Sequence, residues 1–395
     1  MTDLTVFRAE AKVWLEQNCP PSQRKPVVKT EQIWSGRKRE FHCQDAKLWF
    51  ERCRDKGYTV ADWPVEYGGA GLSQLETKAL KDEMNSLGCR PPLYDLGIWM
   101  LGPALLEFGN EEQRKEHLPK IARGEIRWCQ GYSEPGAGSD LASLQCKAED
   151  KGDYFLVNGA KIWTTWADKA DWIFCLVRTD NGATKQEGIS FVLIDMDDPS
   201  INVSPISLIS GESEFCQTFF DNVKVPKKNL VAELNQGWSV AKGLLKHERK
   251  LMSEIGGDVP SPGITPVQAA KQYLPMTDGK IDDANLRTKL VEHEMTMRAI
   301  GLTHFRSFEE RISGNANKNI PLIMKYIGTE EMKNKAELML ACLGTQGLGW
   351  EGNEYTDDEL MVTRGWLFSK TMSIAGGTNE VQLNIIAKQA LGLPD

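Results

Sequence analysis

The spacing of apolar residues divides the chain into three stretches with different periods. From Thr2 to about Arg123 the pattern is helical, because "FHCQDAKLWFERCRDKGY" and "QLETKALKDEMNSLG" repeat apolar residues at steps of three and four. Between them "ADWPVEYGGAGLS", rich in Pro and Gly, predicts a loop. From about Ile126 to Leu234 the period becomes two. There "DYFLVNGAKIWTTW" predicts a hairpin that turns at Asn158-Gly159, and "GISFVLIDMDD", "INVSPISLI" and "FCQTFFDNVKVP" continue as short strands. The helical period returns with "NQGWSVAKGLLKHERKLMSE" and lasts to the end, placing Leu290, Met297, Ile300 and Phe308 on one helix and Met324, Ile327, Met339 and Leu343 on another. Residues 255–283, with Pro260, Pro262, Pro266 and Pro275, predict an irregular interruption. The expectation is an α+β multi-domain fold: a helical domain over residues 1–125, a small β-barrel or sandwich over 126–235, and a helical bundle over 236–395.

Length and composition narrow the classes. At 395 residues the chain is too long for one core. It is 41% apolar and 26% charged, with no run near the roughly 18 apolar residues of a membrane span. A net charge of −8 argues against general nucleic-acid binding, which needs a basic surface. Nine Cys without a C-x-x-C pair fit reduced thiols in a cytoplasmic compartment. Five His without ligand spacing predict no metal site. The amphipathic, acid-containing start resembles neither a secretory nor a transit peptide.

Three short segments carry the candidate chemistry. In "WCQGYSEPGAGSDLASL", residues 128–144, Gly136 and Gly138 allow close backbone approach, and Ser133 and Ser139 offer hydroxyls. Taken alone, the segment reads equally well as a tight loop entering a strand. "NGAKIWTTWADKADW" sets Trp163 beside Thr164 and Thr165; an indole face with a donor at its level suits a flat heteroaromatic cofactor, although a buried core Trp is the commoner meaning of such a strand on its own. In "SIAGGTNEVQ", residues 373–382, Gly376 and Gly377 precede Thr378. Backbone N–H groups at such an elbow can bind an anion or a polarised carbonyl, but cannot move a proton. No Ser-His-Asp, Cys-His or Walker-A arrangement is present by spacing.

These segments, in order with "WPVEYGGAGLS", "FGNEEQRKEHLPKIARGEIRWCQ", "GWSVAKGLL" and "GGTNEVQLNIIAKQALGLP", give a sequence that resembles the acyl-CoA dehydrogenase family of flavoproteins over nearly its whole length. The resemblance implies helical, β-barrel and four-helix-bundle domains, with FAD held between barrel and bundle at a subunit interface. Carried over by motif, the backbone around Gln130 and Tyr132 lines the flavin edge, Ser133 faces the pyrimidine oxygen, Thr165 donates toward the reactive nitrogen and Trp163 packs on the ring. Ser139 meets the pyrophosphate or the CoA arm. Thr378, Asn379 and Glu380 meet FAD at its far side, and Gly347 comes from a neighbouring subunit. Where many relatives have Arg-x-x-Phe this chain has "NLRTKL", so Arg287 is either the pyrophosphate partner or a solvated helix-end charge.

Family chemistry removes a proton next to a thioester while hydride leaves the next carbon for the flavin. That requires donors on the thioester oxygen and a carboxylate in a dry pocket. Many relatives carry the carboxylate where this chain has Gly376; others carry it on the first long C-terminal helix, where "LLKHERKLM" supplies Glu248. Its helical neighbours at three and four residues are Leu244, Leu245, Leu251 and Met252, which places the acid on the apolar face. The resemblance thus implies Glu248 as general base, Gly376 and Gly377 as donors to the substrate carbonyl, Arg249 as a structural or CoA-proximal charge and His247 as a helix-face residue. It implies electron-transfer flavoprotein as acceptor, a homodimer or homotetramer with a heteromer left open, and a bulky, branched, dicarboxylic or aromatic acyl group. An oxygen-reactive oxidase or monooxygenase, and a non-catalytic subunit of a heteromer, stand as alternatives.

Overall fold

The computed structural model describes residues 4–27, 29–245 and 264–394, and the chain divides into two compact units. Glu248, Arg249 and His247 lie outside the described residues.

The first unit takes the chain up to Ile206 and resumes at Glu214. It opens with helices α1 (Leu4–Asn18), α2 (Gln44–Asp55), α3 (Gln74–Ser86), α4 (Gly102–Phe108) and α5 (Glu111–Ala122). Two of them start on reciprocal caps: Ser73 accepts from the Glu76 N–H, and Asn110 from the Gln113 N–H, while each partner side chain returns a bond to the cap backbone. Phe7, Ala11 and Leu15 of α1 bury their faces against Trp49, Ala79 and Leu80.

Eight strands follow: β1 (Trp128–Gly131), β2 (Lys147–Asp150), β3 (Tyr154–Thr165), β4 (Trp172–Arg178), β5 (Ile189–Asp195), β6 (Ile201–Ile206), β7 (Phe215–Pro226) and β8 (Leu230–Val231). Their order is β6-β7-β3-β2-β4-β5-β8, with β1 parallel to β4. Strands β4 and β5 are buried on both faces, which is why they read as continuous apolar runs. Phe174, Leu176, Phe191 and Leu193 pack with Leu101, Leu105 and Leu118 of the helical segments. Ile173, Val177, Val192 and Ile194 pack with Phe155, Val157, Phe220 and Val225 from β3 and β7, so the sheet curls back around a second core. A further helix, α6 (residues 237–245), buries Val240, Ala241 and Leu244 in the first core.

The second unit contains α7 (Pro266–Tyr273), a small hairpin of β9 (Met276–Thr277) and β10 (Lys280–Ile281), and α8 (Ala284–Ile312), α9 (Ile320–Leu343), α10 (Asp357–Ser369) and α11 (Asn379–Ile385). Helix α9 is the hub, packing against α7, α8, α10 and α11. Leu286, Leu290, Leu338 and Met339 form the main core of this unit with Ala269 and Ala270.

Two sequence expectations are corrected. Asn158-Gly159 is not a hairpin turn: β3 runs straight through it, and the reversal lies at residues 151–153, closed by the Lys151 N–H on the Tyr154 carbonyl at 2.9 Å. The dipeptide instead marks a bulge against β7, where Gly159 has φ 146° and a Cβ would sit 2.7 Å from Cys146 Cα. Pro266 does not break structure either. It is the first residue of α7, where its missing N–H costs nothing, behind a Thr265/Gln268 capping box.

Candidate functional site

The first group of predicted residues is assembled around β1 and the end of β3. Gly131 pairs with Cys175, and a Cβ there would meet Ile173 Cδ1 at 2.7 Å, so a larger residue would have to displace that side chain. Tyr132 turns its ring into the core, edge-on to Phe174 and Phe191. The Ser133 carbonyl accepts the Ile162 N–H at 2.9 Å, which ties the glycine loop to the strand that carries Trp163 and Thr165. Gln130 has its amide nitrogen buried without a hydrogen-bond partner among the described residues. Ser139 is exposed on the loop, and Cβ atoms added at Gly136 or Gly138 would meet nothing within 4 Å.

Beneath the loop is an ionic lock that sequence reasoning missed. Lys161, fully buried, donates to Glu134 Oε1 at 2.7 Å and to the Tyr132 carbonyl at 3.1 Å. The Glu134 carboxylate also accepts the N–H groups of Gln145 (2.6 Å) and Cys146 (2.8 Å), and its backbone exchanges two 3.0 Å bonds with Ala137. The signal was available: Lys161 shares the inward parity of the strand, an odd place for an amine unless a carboxylate waits there.

A second bulge, between Lys161 and Thr164, shifts that parity. Thr164 turns inward and donates to the Cys216 carbonyl at 2.8 Å, while Trp163, at φ 61°, turns outward with 52% of its surface exposed. The sequence alternative of a buried core Trp is therefore not what the structure shows. The outward indole is braced edge-on by Phe215.

Asp95 lies at the base of β1. It is fully buried, and its Oδ1 accepts the N–H groups of Gly97 (2.8 Å) and Trp128 (3.2 Å). Burial pushes its carboxyl up to about 7, against the opposing pull of those donors. His117 is pushed down to about 4 by burial, with its ring edge-on to Trp128 and Trp172.

In the second unit, the elbow joins the segment after α10 to α11. Gly376 (φ 66°) and Gly377 (φ 93°) both take left-handed backbone, which explains two glycines in a row. Thr378 caps α11 by accepting the Val381 N–H. The Gly377 carbonyl accepts from Lys325 Nζ at 2.6 Å, and the Gly376 carbonyl from the Gln382 amide at 3.5 Å. Asn379 is buried with its side chain committed to α9: its oxygen takes the Thr329 hydroxyl at 3.2 Å, and its nitrogen donates to Glu330. Glu380 is exposed, its carboxyl held low by its own backbone N–H and by Thr378. A cleft of about 250 Å³ beside these residues is lined by Tyr326, Lys333, Ser373 and Leu383.

Arg287 and Gly347 lie elsewhere in this unit. Arg287, on the first turns of α8, donates to the Ile281 carbonyl. Gly347 is buried behind α9, where a Cβ would press on Leu340, and its carbonyl accepts the Thr363 hydroxyl at 3.1 Å. Among the described residues no helix is long and apolar enough to cross a membrane, and no group of three His, Cys, Asp or Glu is placed to hold a metal ion.

Comparison with known proteins adds names to this geometry. Family profiles match three consecutive stretches: acyl-CoA dehydrogenase, N-terminal domain, at residues 4–125; middle domain, at 129–223; and C-terminal domain, at 235–391. The chain is 32% identical to the acyl-CoA dehydrogenase IpdE1 of Mycolicibacterium smegmatis, covering 100% of this chain and 99% of that protein. It is 31% identical to IpdE1 of Mycobacterium tuberculosis over the same shares. Among solved structures, the Tcur3481-Tcur3483 steroid ACAD is similar at 28% identity and a TM-score of 0.77, covering 99% of this chain and 97% of that one. The ChsE4-ChsE5 complex from Mycobacterium tuberculosis is similar at 25% identity and a TM-score of 0.74, covering 100% and 98%.

Proposed function

Because the chain belongs to the acyl-CoA dehydrogenase family, we propose that it uses FAD to convert an acyl-CoA thioester to the trans-2-enoyl-CoA and passes the electrons to an electron-transfer flavoprotein. The residues fit a flavin. The outward Trp163 offers a flat indole face, the buried Gln130 amide offers a donor, and the open Gly136–Gly138 backbone leaves room for phosphate or ribose. Trp163 is the observation that carries the reading, since a strand that spends a bulge and a left-handed residue on exposing an indole serves a planar ligand.

When bound, the flavin supplies a hydride acceptor. The chain's own residues bind, orient and move the proton. Backbone around Gln130, Tyr132 and Ser133, with Thr165, would hold the ring edge, and Trp163 its face. Ser139 would take a phosphate. Thr378, Asn379 and Glu380 would meet the cofactor's far side, Asn379 through its backbone, with Arg287 as a pyrophosphate partner and Gly347 supplied by a neighbouring subunit. N–H groups of Gly376 and Gly377 would hold the thioester oxygen, which makes the α-proton acidic enough to remove. Glu248 is the proposed base and Arg249 a charge near CoA. The domain boundaries stay proposed as 1–125, 126–235 and 236–395.

A similar structure named as a steroid ACAD, together with an elbow that has glycine in place of a side chain, favours a bulky polycyclic or branched acyl group. Anaerobic mixing with a panel of acyl-CoA thioesters tests this: a bulky alicyclic thioester should bleach the flavin fastest, and a panel that leaves it yellow would refute the reaction. Glu248→Gln should keep the protein yellow and slow bleaching by at least a hundredfold; undiminished bleaching would remove Glu248 from the mechanism.

A second reading has a specific support. Two similar structures carry paired names. In that reading the chain is one subunit of a heteromeric dehydrogenase, and an unlike subunit would co-purify with it and be required for FAD retention.

A further inference from the structure

Two consecutive glycines in left-handed backbone have wide conformational choice, so something beyond the elbow must fix their shape. The fixing group comes from α9. Lys325 is buried, 4% exposed, and its Nζ lies 2.6 Å from the Gly377 carbonyl oxygen and 3.4 Å from Asn379 Oδ1. Asn379 is held in turn by Thr329 and Glu330. Burying a lysine terminus among helices is costly, and a leucine or methionine would fill the same volume without that cost. The amine is explained by what it touches.

No peptide bond here is cis. In a planar trans unit the carbonyl and the following N–H point to opposite sides, so drawing the Gly377 oxygen toward α9 aims the Thr378 N–H away from α9. A strong donor on that carbonyl also polarises the peptide and strengthens its N–H. We propose that Lys325 is a positioning residue: through the Gly377 carbonyl it fixes the Gly377–Thr378 peptide, and so holds in place the elbow whose Gly376 and Gly377 N–H groups grip the thioester oxygen. The inference rests on the reading of the elbow as that grip.

The test uses the full-length flavoprotein and cinnamoyl-CoA, a conjugated thioester whose absorption moves to longer wavelength as its carbonyl is polarised. Bound to the wild type, its band should shift red. In Lys325→Met at saturating cinnamoyl-CoA, the shift should fall by at least half, with affinity down about tenfold, and Lys325→Arg should recover most of both. A full wild-type shift in saturated Lys325→Met would overturn the proposal, because a merely structural lysine would lower affinity without changing the bound spectrum. If Lys325→Met does not fold, Lys325→Gln, a shorter neutral donor, should give an intermediate shift, and an undiminished one would again overturn it. Wild-type protein that does not bind cinnamoyl-CoA, or binds it without a shift, would instead bring down the reading of the elbow itself.

Discussion

The loop over β1 and the glycine elbow are both proposed to present backbone to a ligand, but they are held in different ways. The loop is over-determined: Glu134 alone makes five bonds, three through its carboxylate to Gln145, Cys146 and Lys161 and two through its backbone to Ala137. The two glycines of the elbow are held through their carbonyls by one 2.6 Å bond from Lys325 and one marginal contact from Gln382, with anchoring left to Thr378 and Asn379 beyond them. A rigid platform suits a permanent cofactor, and a lightly held segment suits a substrate that must leave after each turnover.

The contrast breaks most easily at Lys161. Lys161→Met leaves Glu134 buried without its cation and should cost about 3–5 kcal/mol, read as a fall in the thermal midpoint with loss of flavin. An unchanged midpoint would mean that the loop is not held as described. Gly377→Ala should cost less, about 1–3 kcal/mol, from φ 93° and a Cβ 2.8 Å from the movable Gln382 amide. If it costs as much as Lys161→Met, the elbow is as rigid as the platform.

Asp95 sharpens the account of the platform through pH. Its carboxyl is raised to about 7 in the fold, so the native state keeps a proton that the unfolded chain releases near pH 4. Stability from this group therefore declines as pH rises from about 4 to about 7 and stays low above. Asp95→Asn, which retains an acceptor for Gly97 and Trp128, should stabilise the protein at pH 8 by on the order of 2 kcal/mol and have little effect at pH 4. A gain that does not change with pH would assign the effect to packing. The smallest expected change is Trp163→Ala: within about 0.5 kcal/mol in stability, because the indole is half exposed, yet with clearly weaker flavin retention on gel filtration.

Much of this was legible in the sequence because local signals and tertiary structure agree. The change of period near residue 126 marks where strands begin, and Ser73 and Asn110 start helices as their side chains dictate. The glycine pair before Thr378 is a turn by the same logic. What escaped depends on partners distant in the chain. Asn158-Gly159 satisfies the local rule for a hairpin, but Cys146 crosses against it and β7 pairs along both sides, so the same residues become a bulge. Lys161 meets Glu134 from 27 positions away and Lys325 meets Gly377 from 52; strand parity marks the first lysine as inward, but the partner of neither is a local property of the sequence.

The irregularity between Lys161 and Thr164 works as a frame-shift in a message read two letters at a time. Upstream of it, odd-numbered positions speak to the barrel interior; downstream, even-numbered ones do. Lengthening the turn at residues 151–153 leaves that frame intact. Straightening the bulge at unchanged length would post the indole indoors and the Thr164 hydroxyl outdoors, whereas deleting Ile162 would restore a regular strand with both facing as they do now.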